Sequence, residues 1–185
     1  MATPNLDDKA CIVLFLDFDG VTHPEPCFQD NVMCRLGLIE DVLREYPIVS
    51  IVISSSWRDH YTLDELRQHF AVDLRARVVG VTPSLKNPSP VRRSGIGTAE
   101  AHACDWEMEA WLVANRPAAH EREWEIETWL TANRPPGTPW LAIDDRPEWF
   151  KPQSPNLLLT DSKQGFQPRQ QQTLRAMLRI RTDEI

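Results

Sequence analysis

The chain has 185 residues, 42% of them apolar and 25% charged, with a formal net charge of -7 and a pI near 5.2. That length gives one domain with a real hydrophobic core, and the acidic balance argues against a basic nucleic-acid-binding surface over the whole molecule. The longest apolar runs, such as residues 12–16, are far too short to span a membrane. The N-terminus lacks a basic region followed by an apolar stretch, so no secretory signal is read there. Four cysteines without a C-x-x-C pair fit reduced thiols in a cytoplasmic protein better than a zinc site.

Residues 10–17, ACIVLFLD, form a continuous apolar run that ends in a carboxylate, the pattern of a central parallel strand buried on both faces. Residues 36–46 place Leu36, Ile39, Val42 or Leu43, and Tyr46 at helical spacing, and Pro47 stops them. IVSIVI, residues 48–53, is a second buried strand that runs into Ser54, Ser55 and Ser56. Thr62 and Glu65 have the spacing of a capping box, which predicts a helix continuing through Leu66 and Phe70. Residues 77–81 are a short third strand, and 82–98 are a loop rich in Pro, Ser and Gly. PWLAIDD at 139–145 is a fourth strand ending in two carboxylates, NLLLT at 156–160 a fifth, and residues 169–180 a closing helix. Alternating strands and helices with two-sided apolar strands define a three-layered α/β sandwich with a mostly parallel sheet.

One segment repeats. Residues 101–118 and 119–136 match at eleven of eighteen positions without a gap. Eighteen residues are about five helical turns, but Pro117 breaks a continuous helix. The expectation is two short helices with a break near residues 115–120, inserted within a single domain spanning 1–185. The Trp and Leu residues of each copy are read as packing, and the glutamates as a solvated face. Arg122 in the second copy aligns with Cys104 in the first.

In a parallel sheet ligands bind beyond the carboxyl ends of the strands. Asp17-x-Asp19, Ser54-Ser55-Ser56 and Asp144-Asp145 all fall at such ends. Hydrolysis of an anionic phosphate ester needs a nucleophile, a proton shuttle and concentrated positive charge. Asp17 suits the nucleophile. Asp19, brought round by the turn at Gly20, suits the general acid and base. Paired carboxylates need a cation between them, and an oxygen-only set including Asp17, Asp19 and Asp145 or Asp144 suits Mg²⁺. Ser54 would hydrogen-bond a phosphoryl oxygen, with Gly20 and Ser55 as further substrate contacts, and Arg58 is either another of these or a surface charge. His23 is read as a loop residue and Asp161 as a loop cap.

LFLDFDGVTHP, IVISSSWR, REWEIETWL and WLAIDD resemble the haloacid dehalogenase (HAD) superfamily, and more narrowly the HAD domain of bacterial RNA-repair proteins and its free-standing relatives. The resemblance runs from about residue 10 to 180. It implies a Rossmann-like fold, Mg²⁺ dependence and an aspartyl-phosphate route. Asp17 would be nucleophile, Asp19 acid and base with its main-chain carbonyl in the metal shell, Ser54 the phosphate-binding hydroxyl and Asp145 a metal ligand. The family places its basic residue at the start of the helix before the Asp-Asp strand. Arg122 fits best there, with Arg93, Arg134 and Lys151 as alternatives.

Asp17 and Ser54 are 37 residues apart, and Ser54 and Arg122 are 68 apart. The elements already assigned use that length, so no folded cap domain fits. An open site suits bulky phosphomonoesters, RNA or DNA ends among them. A small-molecule phosphatase such as a nucleotidase, and a non-catalytic binding module on the same fold, are the alternatives.

Overall fold

The computed structural model describes residues 12–84 and 119–185. Five parallel strands form one sheet: β1 (Ile12–Leu16), β2 (Val49–Ile53), β3 (Val78–Val81), β4 (Trp140–Asp144) and β5 (Leu157–Leu159). Their order is β3-β2-β1-β4-β5, so the first strand lies in the middle, paired to β2 and β4. Every residue of β1 and β2 is buried, as their apolar runs, interrupted only by Ser50, lead one to expect. Period-two alternation sends the side chains of β1 to opposite faces. Ile12, Leu14 and Leu16 pack with Leu36, Ile39 and Leu43 of helix α1 (Leu36–Glu45) and with Leu174 and Leu178 of the last helix, Pro168–Asp183. Val13 and Phe15 face the other way, toward Ile126 and Trp129 of the helix Glu121–Asn133. Helices thus cover both faces, and the described residues hold no cap domain.

Helix α2 (Leu63–Arg67) carries the expected capping box. The Thr62 hydroxyl accepts from the Glu65 amide, and the Glu65 carboxylate accepts from the Thr62 amide. The helix is shorter than its sequence pattern. Beyond Arg67 the chain tightens into turns, with the Phe70 amide donating to the Arg67 carbonyl. Phe70 still reaches the core, 1% exposed, without a further helical turn.

The second repeat copy is helix α3 (Glu121–Asn133), entered through His120 in the left-handed region (φ 61°). Trp129 packs edge-on against Phe15, ring centroids 5.7 Å apart, so the packing reading of this Trp holds. The solvated-face reading does not hold for two glutamates. Glu123 and Glu125 are 5% and 3% exposed, because each meets a cation of another element: Glu123 meets Lys151, and Glu125 meets Arg58. The first copy, Cys104 and Arg93 lie outside the described residues. The closing helix, α4, is Pro168–Asp183. Among the described residues no helix is long and apolar enough to cross a membrane.

Parallel pairing aligns the strand ends. Beyond β1 the Asp17 amide donates to the Ile143 carbonyl (3.1 Å), and beyond β2 the Ser54 amide donates to the Leu16 carbonyl (3.0 Å). The Thr160 amide donates likewise to the Asp144 carbonyl (3.0 Å). Asp17, Ser54, Asp144 and Thr160 therefore stand along one edge of the sheet.

Candidate active site

Asp17 leaves the central strand buried, 5% exposed, with Oδ1 accepting from the Phe18 amide at 2.8 Å. Asp144 and Asp145 leave the neighbouring strand. One carboxylate oxygen from each of these three aspartates lies within 4.8 Å of the others. The side chains of Asp144 and Asp145 are 1% and 2% exposed. Oδ2 of Asp144 and Oδ2 of Asp145 are buried and accept no hydrogen bond. Unsatisfied buried carboxylate oxygens converging on one point are costly unless a cation joins them. An all-oxygen donor set of this kind fits a hard divalent cation.

The electrostatics follow from this crowding. Burial, and then the charge of Asp17, push Asp145 up to about 6. The same two causes hold Asp144 well above the ordinary carboxylate range, against the pull of Arg122. A carboxyl raised on folding keeps a proton that the unfolded chain has already released. The metal-free protein therefore loses stability as pH rises from the ordinary carboxylate range through about 6 and beyond. Thermal melts in chelator are expected to fall between about pH 5 and pH 8, and a divalent cation that fits the three carboxylates to recover the loss, most strongly at the higher pH. A melting temperature in chelator that does not move with pH would contradict this picture of the cluster.

Gly20 makes the close approach that the cluster needs. Its φ is +69°, and a Cβ there would stand 2.4 Å from Asp145 Oδ2 and 2.6 Å from Asp145 Cγ. Its carbonyl accepts from the Thr160 hydroxyl at 2.8 Å. Gly20→Ala is expected to displace the Asp145 carboxylate and to weaken any divalent cation held there by about 10- to 100-fold in a metal titration, on top of backbone strain of about 1–2 kcal/mol.

Asp19 stands apart from the three-aspartate cluster. Its carboxylate is 38% exposed and accepts from Trp57 Nε1 at 3.0 and 3.2 Å. His23 Nε2 lies 3.1 Å from Asp19 Oδ1, and His23 Nδ1 lies 3.1 Å from the Thr22 hydroxyl. His23 does lie in a loop, but it is 1% exposed and fixed against Asp19. Sequence spacing held no signal for that contact beyond the four residues that separate the pair.

Arg122 sits in the first turn of α3, 5% exposed. Its guanidinium faces three carboxylates: Nε lies 3.2 Å from Asp144 Oδ2, Nη1 3.3 Å from Glu125 Oε2 and Nη2 3.7 Å from Asp17 Oδ2. Its outer face lies 5.0 Å from the centre of the Trp149 ring, within cation–π reach. Burial works against the charge, but Asp17, Asp144 and Glu125 outweigh it and raise the pKa. The other basic candidates are engaged elsewhere. Arg134 lies over Trp129 at the far end of the helix, and Lys151, 56% exposed, pairs with Glu123 and Glu127.

Asp17, Asp19, Arg58, Arg122, Asp145 and Trp149 line one cleft of about 130 Å³. Arg146 and Glu25, themselves 2.9 Å apart, stand at the same cleft. Three predicted contacts are not among its lining residues. Gly20 packs against Asp145. Ser54 is 1% exposed, its carbonyl accepting from Arg58. Ser55 is fully buried, its hydroxyl accepting from the Trp57 amide at 3.4 Å as the cap of the turn Ser56–Asp59. Asp161 accepts from the Lys163 amide at 2.9 Å, as a loop cap does.

A five-stranded parallel sheet with carboxylates at adjoining central strand ends and an arginine against them defines an HAD-type α/β domain. Residues 13–171 match the family model described as the HAD domain in Swiss Army Knife RNA repair proteins, and the chain belongs to that family. No curated protein and no solved structure matches it.

Proposed function

We propose that the protein is a Mg²⁺-dependent phosphomonoesterase that works through an aspartyl-phosphate on Asp17. The observation that carries the reading is the cleft in which Asp17, Asp19, Arg122 and Asp145 meet. Asp17 Oδ attacks phosphorus and the bond to the leaving oxygen breaks, while Asp19 gives that oxygen a proton. Water then attacks the same phosphorus, Asp19 takes its proton, and inorganic phosphate leaves with Asp17 restored. Arg122 opposes the negative charge that gathers on the phosphoryl oxygens. Ser54, 1% exposed and outside the cleft lining, is given no phosphoryl contact. A divalent cation held by Asp17, Asp145, Asp144 and the main-chain carbonyl of Asp19 would neutralise charge on the transferred group. The buried oxygens of Asp144 and Asp145 that accept no hydrogen bond fit that role.

The size of the cleft supports a bulky substrate. It is smaller than the roughly 300 Å³ that encloses a whole drug-sized ligand, so a phosphoryl group enters and the rest of the molecule stays outside. Together with the family's RNA-repair description, this favours phosphorylated nucleic-acid ends. The net charge of -7 favours a second reading, a small phosphomonoester such as a nucleotide, since a polyanion pays for every repulsive contact. Phosphate release from 3′- and 5′-phosphorylated oligonucleotides, compared with mononucleotides and an aryl phosphate, with and without Mg²⁺, separates the two. Turnover of none of them by a folded, Mg²⁺-loaded protein would leave a binding module on the HAD fold.

A further inference from the structure

We propose that Glu125 is a positioning residue that ties Arg58 and Arg122 into a single two-guanidinium grip on the phosphoryl group. The proposal rests on the phosphomonoesterase reading for the identity of the gripped group. Its grounds are a buried bridge that the catalytic cluster itself does not use. Residues three apart on a helix share a face, so α3 presents Arg122 and Glu125 side by side. Glu125 Oε2 lies 3.3 Å from Arg122 Nη1. Its other oxygen, Oε1, lies 2.7 Å from Nη2 of Arg58, which comes from the turn after β2, 67 residues earlier in the chain. The side chains of Arg58, Arg122 and Glu125 are 6%, 6% and 3% exposed. Arg58 is held from behind as well, since its Nη1 donates to the Ser54 carbonyl at the end of β2. Both arginines line the cleft with Asp17.

Two guanidiniums side by side in a poorly hydrated place repel, and each works against the charge of the other. One carboxylate fork that accepts from both removes the repulsion and fixes their spacing. Such a buried trio is a poor stabiliser, because desolvation offsets most of the Coulomb attraction. Its value lies in geometry. It locks a residue delivered by β2 to a residue delivered by α3, so that both close on the same oxygen set. Arg58 thereby acts on substrate with Arg122 instead of as a surface charge.

Glu125→Asp separates positioning from charge balance. It keeps the buried negative charge but is one methylene too short to reach both arginines. The Mg²⁺-loaded variant is expected to melt near the wild-type temperature and to lose about 100-fold in kcat/KM through misplacement of the gripping groups. Calorimetric affinity for inorganic phosphate is expected to fall about tenfold. In an Arg58→Met background Glu125→Asp is expected to cost less than about threefold more, since the two act as a unit. Arg58→Lys gives the same test from the other side of the bridge if Glu125→Asp does not fold. Phosphate affinity and kcat/KM close to wild type in these variants, or an undiminished cost of Glu125→Asp in the Arg58→Met background, overturn the proposal. Normal Mg²⁺-dependent turnover in those same variants would remove the grip and leave the phosphomonoesterase standing. Phosphate binding that weakens in the variants of a wild type without turnover would keep the grip and remove the phosphomonoesterase.

Discussion

Asp17→Asn is expected to abolish Mg²⁺-dependent phosphate release, by at least about 10⁴-fold, and to leave the fold intact. The amide matches the carboxylate in shape, and its oxygen still accepts from the Phe18 amide, the 2.8 Å bond that seats the side chain. It cannot carry a phosphoryl group as an acyl phosphate. Stability should move the other way from activity. Asp17 is the second cause, after burial, of the raised proton affinity of both Asp144 and Asp145. Removing its charge relieves that repulsion, while Arg122 keeps Asp144 and Glu125 as partners. Melting temperature in chelator is therefore expected to hold or rise as phosphate release disappears, and both are read on the same preparation. Activity within about tenfold of wild type would rule out Asp17 as the nucleophile.

Arg122→Met strikes structure and chemistry together. Three carboxylates converge on this guanidinium in a place where its side chain is 6% exposed. Removing one partner of a buried pair costs about 3–5 kcal/mol, because the charges left behind stay buried. If Arg122 faces the phosphoryl oxygens as proposed, its loss is expected to cost about 10²–10³ in kcat. Arg122→Lys divides the two effects. A lysine restores a buried positive charge, so most of the stability is expected to return. Its ammonium cannot face three carboxylates from one planar fork, so kcat should stay depressed by about tenfold or more. Denaturant melts and steady-state kinetics on the pair test this. Equal recovery of both by lysine would mean that charge alone matters at this position.

The order of the site elements was legible in the chain because the central strands are apolar on both faces and end abruptly in polar residues. Asp17, Ser54 and Asp144 mark those ends directly, and their shared edge follows once the strands are parallel. The Thr62 and Glu65 pair marked a helix start through local hydrogen bonds alone. Burial of the α3 glutamates was not legible. Glu125 looks like any solvent-facing glutamate until Arg58 is brought to it from across the sheet. His23 is similar: Trp57 comes from another loop to close the pocket around Asp19, its ring 5.9 Å from the imidazole. Local pattern reports which backbone forms. It is silent on polar contacts made by residues far apart in sequence, and these decide what the charged groups here do.

The placing of the first strand in the middle of the sheet also governs when the site comes into being. β1 meets β2 through a crossover of moderate length, but its other edge waits for β4, whose first residue is Trp140. Asp17 therefore gains its neighbours Asp144 and Asp145 only through a pairing that spans well over half of the chain. Contacts of such long separation form late and slow folding. A nascent chain that has not yet released Asp145 holds Asp17 without the two carboxylates that complete its cluster. The cluster of Asp17, Asp144 and Asp145 thus forms only once the sheet has closed, and a ribosome-bound fragment that stops short of Asp144 lacks it.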